Sequence, residues 1–203
     1  MKLYFSPGVC SLSSHIILQE TGIEHDLIQV DLPTHRTADG GDFYQINPKG
    51  SVPVLALENG LVLTEGVAIM QFLADKAERY DLLPPVHDMK RYQVLEWLNY
   101  IGTELHKSFY PLFNLTLSPN DRELFIALLN KKFAWLNEQL KNKSFLLGDS
   151  FCLADAYLFT VSNWCDVVGV SLSELDHLQQ YRGRVRQRPA VSKALSIEAS
   201  YNK

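Results

Sequence analysis

Three short stretches in the first third of the chain carry residues whose types and spacing can do chemistry. The first is FSPGVCSLSS, in which Cys10 stands between a glycine-bearing loop and an amphipathic run. A redox pair of the Cys-x-x-Cys type needs a second thiol at position 13, but that residue is Ser13. Three interpretations of Cys10 therefore stay open: a buried residue that only packs in the core, a metal ligand without partners, or a thiol whose pKa is shifted by the start of a helix.

The other two stretches present backbone groups and an acid. In SVPVL, the Val52-Pro53 bond is a candidate for the cis form, which leaves the Val52 backbone available to pair with an extended ligand. In LTEGVAI, the N–H groups at a helix start can receive a carboxylate beside Gly66, and Glu65 can accept from an ammonium. A ligand with a thiol, a peptide backbone, an ammonium and a carboxylate matches all three stretches, and glutathione is such a ligand.

A fourth group lies in the second half of the chain. Asn99, Thr103 and His106 are spaced i, i+4 and i+7, which predicts one face of a helix beside an apolar stripe. This face is either a solvated surface or part of a site.

The energy needed to form a thiolate favours the site. An unshifted thiol is only about 3% ionised at pH 7, and about three-quarters ionisation requires about 2.7 kcal/mol. A helix terminus typically contributes about 0.3–1 kcal/mol. The hydroxyls of Ser11 and Ser13, the Cys10 sulfhydryl or a cation from His106 or Lys107 must supply the rest, whether the sulfur belongs to the protein or to a ligand.

Two halves of different character position these residues. Residues 1–80 predict the order β-α-β-loop-β-β-α, in which the first helix stops at Gly22 and a hairpin turns at Asn59-Gly60. The first crossover favours a parallel strand pair. Paired prolines then mark a boundary, and the rest of the chain is predicted to be helical, with one helix capped by Asn120.

Composition limits the function classes. The 203 residues are 46% hydrophobic and carry a formal charge of −4, which argues against disorder and against a nucleic-acid partner. Three widely spaced cysteines argue against a disulfide framework and favour a cytoplasmic protein. No apolar run is long enough to span a membrane, and neither a targeting segment nor a metal-like histidine spacing is visible.

The motifs together resemble a glutathione S-transferase of the bacterial beta class. MKLYFSPGVCSLSSHI, NPKGSVPVL, LTEGVAIMQFLAD, EWLNYIGTELHK and LADAYLF stand in the order of that family over almost the whole chain. The resemblance implies an α/β thioredoxin-like N-terminal domain (1–80), a linker (81–87) and an all-α C-terminal domain (88–203) with the electrophile-binding side. It also implies a homodimer, and a capping box in which Cys152 replaces the usual hydroxyl residue ahead of Asp155.

The resemblance also assigns residues. Cys10 faces the sulfur of glutathione and can form a mixed disulfide with it, Val52 pairs with the cysteinyl part, and Glu65 and Gly66 hold the γ-glutamyl end. His35 stands where lysine usually contacts the glycyl end, and either His35 or its neighbour Arg36 takes that contact. The remaining assignments are Ser11 and His106, with Cys10, as catalytic residues, and Asn99, Thr103, Glu104, Leu105 and His106 as the helical binding segment, some of them reaching the neighbouring subunit's ligand.

The implied function is conjugation of reduced glutathione to small hydrophobic electrophiles, typical of detoxification. Glutathione is then a co-substrate, and no prosthetic group or metal is expected. Tyr110, Phe113 and Trp164 are candidate walls for the electrophile or core residues. Two alternatives stay open: a glutathione-dependent thiol–disulfide reductase that works through Cys10 as a monothiol, and a non-enzymatic ligand-binding or regulatory protein.

Overall fold

The computed structural model describes residues 1–201, which form two compact units. The first unit contains Met1–Tyr80 together with the segment that begins at Arg188, and the second contains Asp81–Gln187. This division and the predicted domains differ at the last helix, which packs with the first unit. The predicted domain boundaries themselves stay a prediction.

A five-stranded sheet organises the first unit. The elements are β1 (Lys2–Phe5), α1 (Ser11–Thr21), β2 (Asp26–Asp31), β3 (Arg36–Thr37), a 3-10 turn (Phe43–Gln45), β4 (Val54–Ala56), β5 (Val62–Thr64) and α2 (Gly66–Lys76). The strands run in the order β3-β2-β1-β4-β5, and β1 pairs in parallel with β2 as the crossover pattern predicts. The other three pairings are antiparallel.

Local signals explain why α1 begins and ends where it does. The chain leaves β1 through Gly8, whose φ is 73°, and α1 starts directly after Cys10. The helix buries Leu12, Ile16 and Ile17, and it ends at Gly22, which has a left-handed φ of 67°. The predicted glycine stop is confirmed, and the start of α1 places Cys10 at the carboxyl end of β1.

Helices are the regular elements of the second unit. Ser118, with its side chain accepting from the Asp121 N–H at 3.2 Å, is the N-cap of the long helix, so the predicted cap at Asn120 is wrong. Pro119, whose fixed φ suits the first helical position, moves the start two residues upstream. The elements are α3 (Met89–Tyr100), a π-helix (Ile101–His106), α4 (Lys107–Phe109), a 3-10 turn (Tyr110–Phe113), α5 (Pro119–Gln139), α6 (Leu153–Ser162), α7 (Trp164–Val168) and α8 (Asp176–Arg186).

The π-helix corrects the prediction of an uninterrupted α-helical face. A π turn shifts the backbone hydrogen bonds from i−4 to i−5, so Asn99, Thr103 and His106 do not follow α-helical spacing throughout. Ile101 and Leu105 stay buried, whereas Thr103 and Glu104 are exposed. The wider turn therefore falls on the segment that the sequence singles out for binding, and π-bulges are frequent at functional sites.

The last helix, α9 (Pro189–Ser200), packs against α1 in the first unit. It brings the buried carboxylate of Glu198 to the loop ahead of Cys10, where Glu198 accepts a hydrogen bond from the Gly8 N–H at 2.8 Å. The other oxygen of Glu198 lies 2.9 Å from Nδ1 of His15, which is fully buried in α1. This pairing fixes the loop from a part of the chain far away in sequence.

In the described residues, no helix has both the length and the apolar character that crossing a membrane requires.

Candidate functional site

Cys10 is half-buried between the sheet and α1. Its Sγ donates a hydrogen bond to the carbonyl oxygen of Val52, 3.1 Å away, and its own carbonyl accepts from the Ser13 hydroxyl at 2.7 Å. The Val52-Pro53 bond is cis, as the sequence suggests. Among the described residues the Val52 N–H makes no hydrogen bond, so its backbone can still donate to an extended ligand.

The Cys10 thiol is neutral in the free protein. Burial raises its pKa to about 11, the negative charge of Glu65 adds to the rise, and the backbone N–H groups of Cys10 and Ser11 lower it by less. The helix start therefore acts in the expected direction but does not produce a thiolate, in agreement with the magnitude argument from the sequence. A neutral thiol is a hydrogen-bond donor, which is how the Cys10 side chain behaves toward Val52.

Ser11 holds the loop that precedes Cys10. Its buried hydroxyl donates to the carbonyl oxygen of Ser6 at 3.0 Å and accepts the Ser6 N–H at 3.2 Å. These two bonds close the turn between β1 and α1. A catalytic role for Ser11 stays a prediction, since its hydroxyl is engaged in this turn.

Glu65 is the residue that precedes α2, and it has an unusual backbone conformation with φ of 69°. Its exposed carboxylate forms an ion pair with Lys49, whose ammonium also donates to the Thr64 hydroxyl at 2.7 Å. No sequence pattern indicates this pairing, because Lys49 lies sixteen residues upstream in a polar loop. Next to it, a Cβ on Gly66 would lie 3.4 Å from Pro53, so the site has room for a small side chain there.

His35 and Arg36, the two candidates for the glycyl contact, differ in the exposure and the contacts of their side chains. His35 has a left-handed φ of 52°, and its ring stacks on Tyr44 with centroids 4.5 Å apart. Its buried Nδ1 has no hydrogen-bond partner among the described residues. Arg36 is exposed, and its guanidinium donates to the Gly40 carbonyl at 3.2 Å. Which of the two contacts a ligand stays a prediction.

In the second unit, the predicted binding segment presents polar groups at the π-helix. Asn99, Thr103 and Glu104 are exposed, and the Thr103 hydroxyl donates to the Asn99 carbonyl at 3.0 Å. Leu105 is fully buried, so any contact with a ligand would have to come from its backbone. Of the five predicted residues, the structure thus leaves three exposed and places Leu105 in the core, while His106 is half-buried.

Glu104 is tied to α5 by Lys132, which the sequence did not indicate. The Lys132 ammonium donates to the Glu104 carboxylate at 3.0 Å, to the Glu104 carbonyl and to the Ser108 hydroxyl at 3.0 Å. The lysine side chain is only 16% exposed. Three acceptors for one half-buried cation hold the π-helix in place on α5.

His106 is fixed by two aromatic residues of neighbouring helices. Its Nδ1 lies 2.6 Å from the hydroxyl of Tyr157 on α6, and its ring meets Trp164 on α7 edge-on with centroids 4.8 Å apart. Phe109 and Phe113 pack edge-on against the same tryptophan. Tyr157 was missed because no sequence pattern connects it to His106, fifty-one residues upstream.

No group of three or more His, Cys, Asp or Glu side chains within residues 1–201 is arranged to hold a metal ion. Cys152 and Cys165 are buried, and desolvation raises the pKa of both thiols, that of Cys165 to about 12. The candidate residues described above offer neutral donors, backbone groups, an exposed acid and an imidazole.

Comparisons with known proteins agree with this arrangement. The chain matches the glutathione S-transferase N-terminal domain over residues 8–76 and the C-terminal domain over residues 126–189. It is 48% identical to the glutathione S-transferase GstA of Escherichia coli O157:H7, and the match covers 98% of each chain.

Two solved structures extend the likeness to the fold. The beta class glutathione S-transferase of Sphingomonas chungbukensis is 39% identical with a TM-score of 0.94, and the match covers 98% of each chain. A sphingomonad glutathione S-transferase complexed with glutathione is 38% identical with a TM-score of 0.94, over 98% of this chain and 99% of that one. The expected thioredoxin-like sheet with a helical second part is confirmed, and the chain belongs to the glutathione S-transferase family.

Proposed function

We propose that the protein conjugates reduced glutathione to small hydrophobic electrophiles. The observation that carries the proposal is the pairing of Cys10 with the Val52 carbonyl beside the exposed acid of Glu65. These groups complement the sulfur, the peptide backbone and the ammonium of a γ-glutamyl-cysteinyl peptide. The relative from a sphingomonad binds glutathione in its crystal structure, which supports the same ligand here.

Each residue has a role in this proposal that follows from its chemistry. The backbone of Val52 pairs with the cysteinyl part of glutathione as an added strand does. Glu65 accepts from the γ-glutamyl ammonium, and the N–H groups at the start of α2, beginning with Gly66, receive the carboxylate. His35 or Arg36 contacts the glycyl carboxylate. Asn99, Thr103, Glu104 and His106 serve as the binding segment of the second unit.

The reaction replaces a leaving group on the electrophile. The thiolate of glutathione forms the new S–C bond, a halide or comparable group departs with the electron pair, and the thiol proton goes to solvent. The protein lowers the barrier by holding the thiolate near the electrophile and by supplying hydrogen-bond donors to it. Neutral Cys10 is suited to donate, and the exposed side chains of Tyr110 and Phe113 offer apolar surface to the electrophile, whereas Trp164 is buried.

The reductase alternative places a different demand on Cys10. A monothiol reductase needs a Cys10 thiolate to attack the disulfide, and with a pKa of about 11 the fraction of thiolate at pH 7 is about 10⁻⁴. This favours glutathione rather than Cys10 as the nucleophile. A mixed disulfide between Cys10 and glutathione is part of the alternative. A purely ligand-binding protein is disfavoured because the chain keeps Cys10, Glu65 and His106.

We further propose a cytoplasmic homodimer that acts in detoxification. Several apolar side chains on α3 and α5 are exposed in the single chain, among them Tyr92, Leu124 and Trp135. Exposed apolar surface of this kind is covered when two copies associate. Sedimentation equilibrium checks the proposal, since a monomer at micromolar concentration contradicts it.

The test of the function compares the wild type with Cys10→Ala in the conjugation of glutathione to a dinitrohalobenzene. We expect turnover in both, because the attacking sulfur is that of glutathione. Turnover in neither contradicts the proposal and favours the reductase or the binding protein. Calorimetric titration with glutathione then separates these two, because only a protein that binds the tripeptide can use it as a reductant.

A further inference from the structure

The side chain of His106 can act in two opposite ways, and its contacts choose between them. A neutral imidazole protonated on Nε2 donates a hydrogen bond through that atom, whereas one protonated on Nδ1 presents a bare Nε2 that accepts a proton. The first form stabilises an existing thiolate, and the second removes the proton from a thiol. Nδ1 of His106 lies 2.6 Å from the hydroxyl oxygen of Tyr157, so the direction of this hydrogen bond and the tautomer of His106 are linked.

We propose that Tyr157 is a positioning residue that donates its hydroxyl hydrogen to Nδ1 of His106 and thereby keeps His106 in the Nε2–H form. The inference rests on the proposed function for its consequence, but not for its geometry. A phenol is a better donor than acceptor, and a bare imidazole nitrogen is a better acceptor than a phenol oxygen. The short O–N distance favours the O–H···N direction for the same reason.

The surroundings hold both partners in this geometry. Tyr157 is 7% exposed and belongs to α6, whose other residues are buried. Gly102 lies beside its hydroxyl, because a Cβ added there would be 3.7 Å from that oxygen. On another side, Trp164 packs edge-on against the imidazole. The tyrosine therefore has little freedom to turn away, and the histidine ring keeps one orientation.

The consequence is a defined role for His106. With Nδ1 engaged by Tyr157, Nε2–H becomes the donor that His106 offers to an anion such as a thiolate. In this form, His106 stabilises the negative sulfur without taking its proton. The alternative role as a general base requires the opposite tautomer, in which Nδ1–H donates to the Tyr157 oxygen. The two roles therefore predict different protonated nitrogens in the same side chain.

The first test reads the tautomer directly and needs no turnover. Protein labelled with ¹⁵N in the six histidine rings is examined by NMR at about pH 8.5, where an ordinary imidazole is neutral. A His106→Gln variant identifies the His106 signals. We expect a protonated Nε2 and a bare Nδ1 in the wild type. In Tyr157→Phe, we expect the ¹⁵N signals of the two ring nitrogens to shift toward the average of the two tautomers. A protonated Nδ1 in the wild type overturns the proposal.

The second test asks whether Tyr157 acts through His106. Tyr157→Phe should lower kcat/KM for conjugation about fivefold, which is what the loss of one hydrogen bond produces. The same change in the His106→Gln background should have no effect, whereas an equal loss in both backgrounds overturns the proposal. Tyr80→Phe, which removes the hydroxyl of an exposed tyrosine, serves as the matched control and should leave both backgrounds unchanged.

The two tests separate failure of the proposal from failure of the proposed function. A wild type that conjugates no electrophile defeats the proposed function, and the NMR measurement then decides the tautomer alone. A wild type that turns over with a protonated Nδ1 supports the function and defeats the role of Tyr157. Tyr157→Phe retains the buried ring, so we expect the variant to fold. Circular dichroism checks this.

Discussion

The pKa of Cys10 leads to a quantitative prediction for its reactivity. Burial and the charge of Glu65 raise this pKa from 9.0 to about 11. A difference of two pH units leaves about a hundredfold less thiolate at neutral pH than an unshifted cysteine has. Because only the thiolate attacks iodoacetamide, Cys10 should be alkylated about a hundredfold more slowly than a free cysteine at pH 7. The rate should then rise tenfold per pH unit up to about pH 11.

The charge of Glu65 offers a perturbation whose sign is known. A negative charge disfavours the thiolate, so Glu65→Gln should lower the pKa of Cys10 and speed alkylation at a given pH. Glu58→Gln is the matched control, because it removes an exposed acid that does not contribute to the Cys10 shift. It should leave the rate unchanged.

The assay is intact-mass spectrometry of the alkylated protein over a range of pH. A Cys10→Ser variant reports any background from Cys152 and Cys165, both of which are buried. A midpoint near or below pH 9 in the wild type refutes the argument that burial controls this thiol. A faster reaction in Glu58→Gln than in Glu65→Gln refutes the assigned source of the charge effect.

Three further predictions concern stability and are checked by urea unfolding. Cys152→Ser should stabilise the protein by about 0.3–1 kcal/mol, since a hydroxyl caps α6 better than a thiol, and an unchanged midpoint contradicts this. Glu198→Ala should lower the free energy of unfolding by about 3 kcal/mol, because it removes the buried acceptor of His15 and of the Gly8 N–H. A loss below about 1 kcal/mol shows that water replaces the carboxylate. Lys132→Met should lower the free energy of unfolding by about 1–2 kcal/mol, because it removes the hydrogen bonds that hold the π-helix on α5. A variant as stable as the wild type would disprove this role of Lys132.

The sequence was sufficient to predict those parts of the fold that local signals determine. The glycine at position 22 stops α1, and the Asn59-Gly60 pair turns the hairpin between β4 and β5. Both depend on a single residue's preference for a left-handed backbone, which no distant contact overrides. The cap of α5 was misplaced by two residues, because Asn120 and Ser118 are both good caps and only Pro119 between them settles the start.

Contacts distant in sequence account for what could not be predicted. The π-helix at Ile101–His106 changes the backbone register by one residue without changing which apolar residues are buried, so periodicity does not reveal it. The donor that holds it, Lys132, comes from α5. Likewise, α9 reaches the loop ahead of Cys10 through Glu198, whose acidic side chain resembles a surface residue in the sequence. Burial of a charge beside specific partners is a tertiary property.

Ligand binding at the first unit requires an exchange of hydrogen-bond and ion-pair partners. In the free protein, the Val52 carbonyl already accepts from Cys10, and Glu65 is already paired with Lys49. The proposed glutathione would replace the Lys49 ammonium on Glu65 with its own and would take over the Val52 carbonyl. Each new bond therefore gains only the difference between two similar interactions. Much of the affinity must then come from bonds with no counterpart in the free protein, of which the Val52 N–H is the clearest within the described residues.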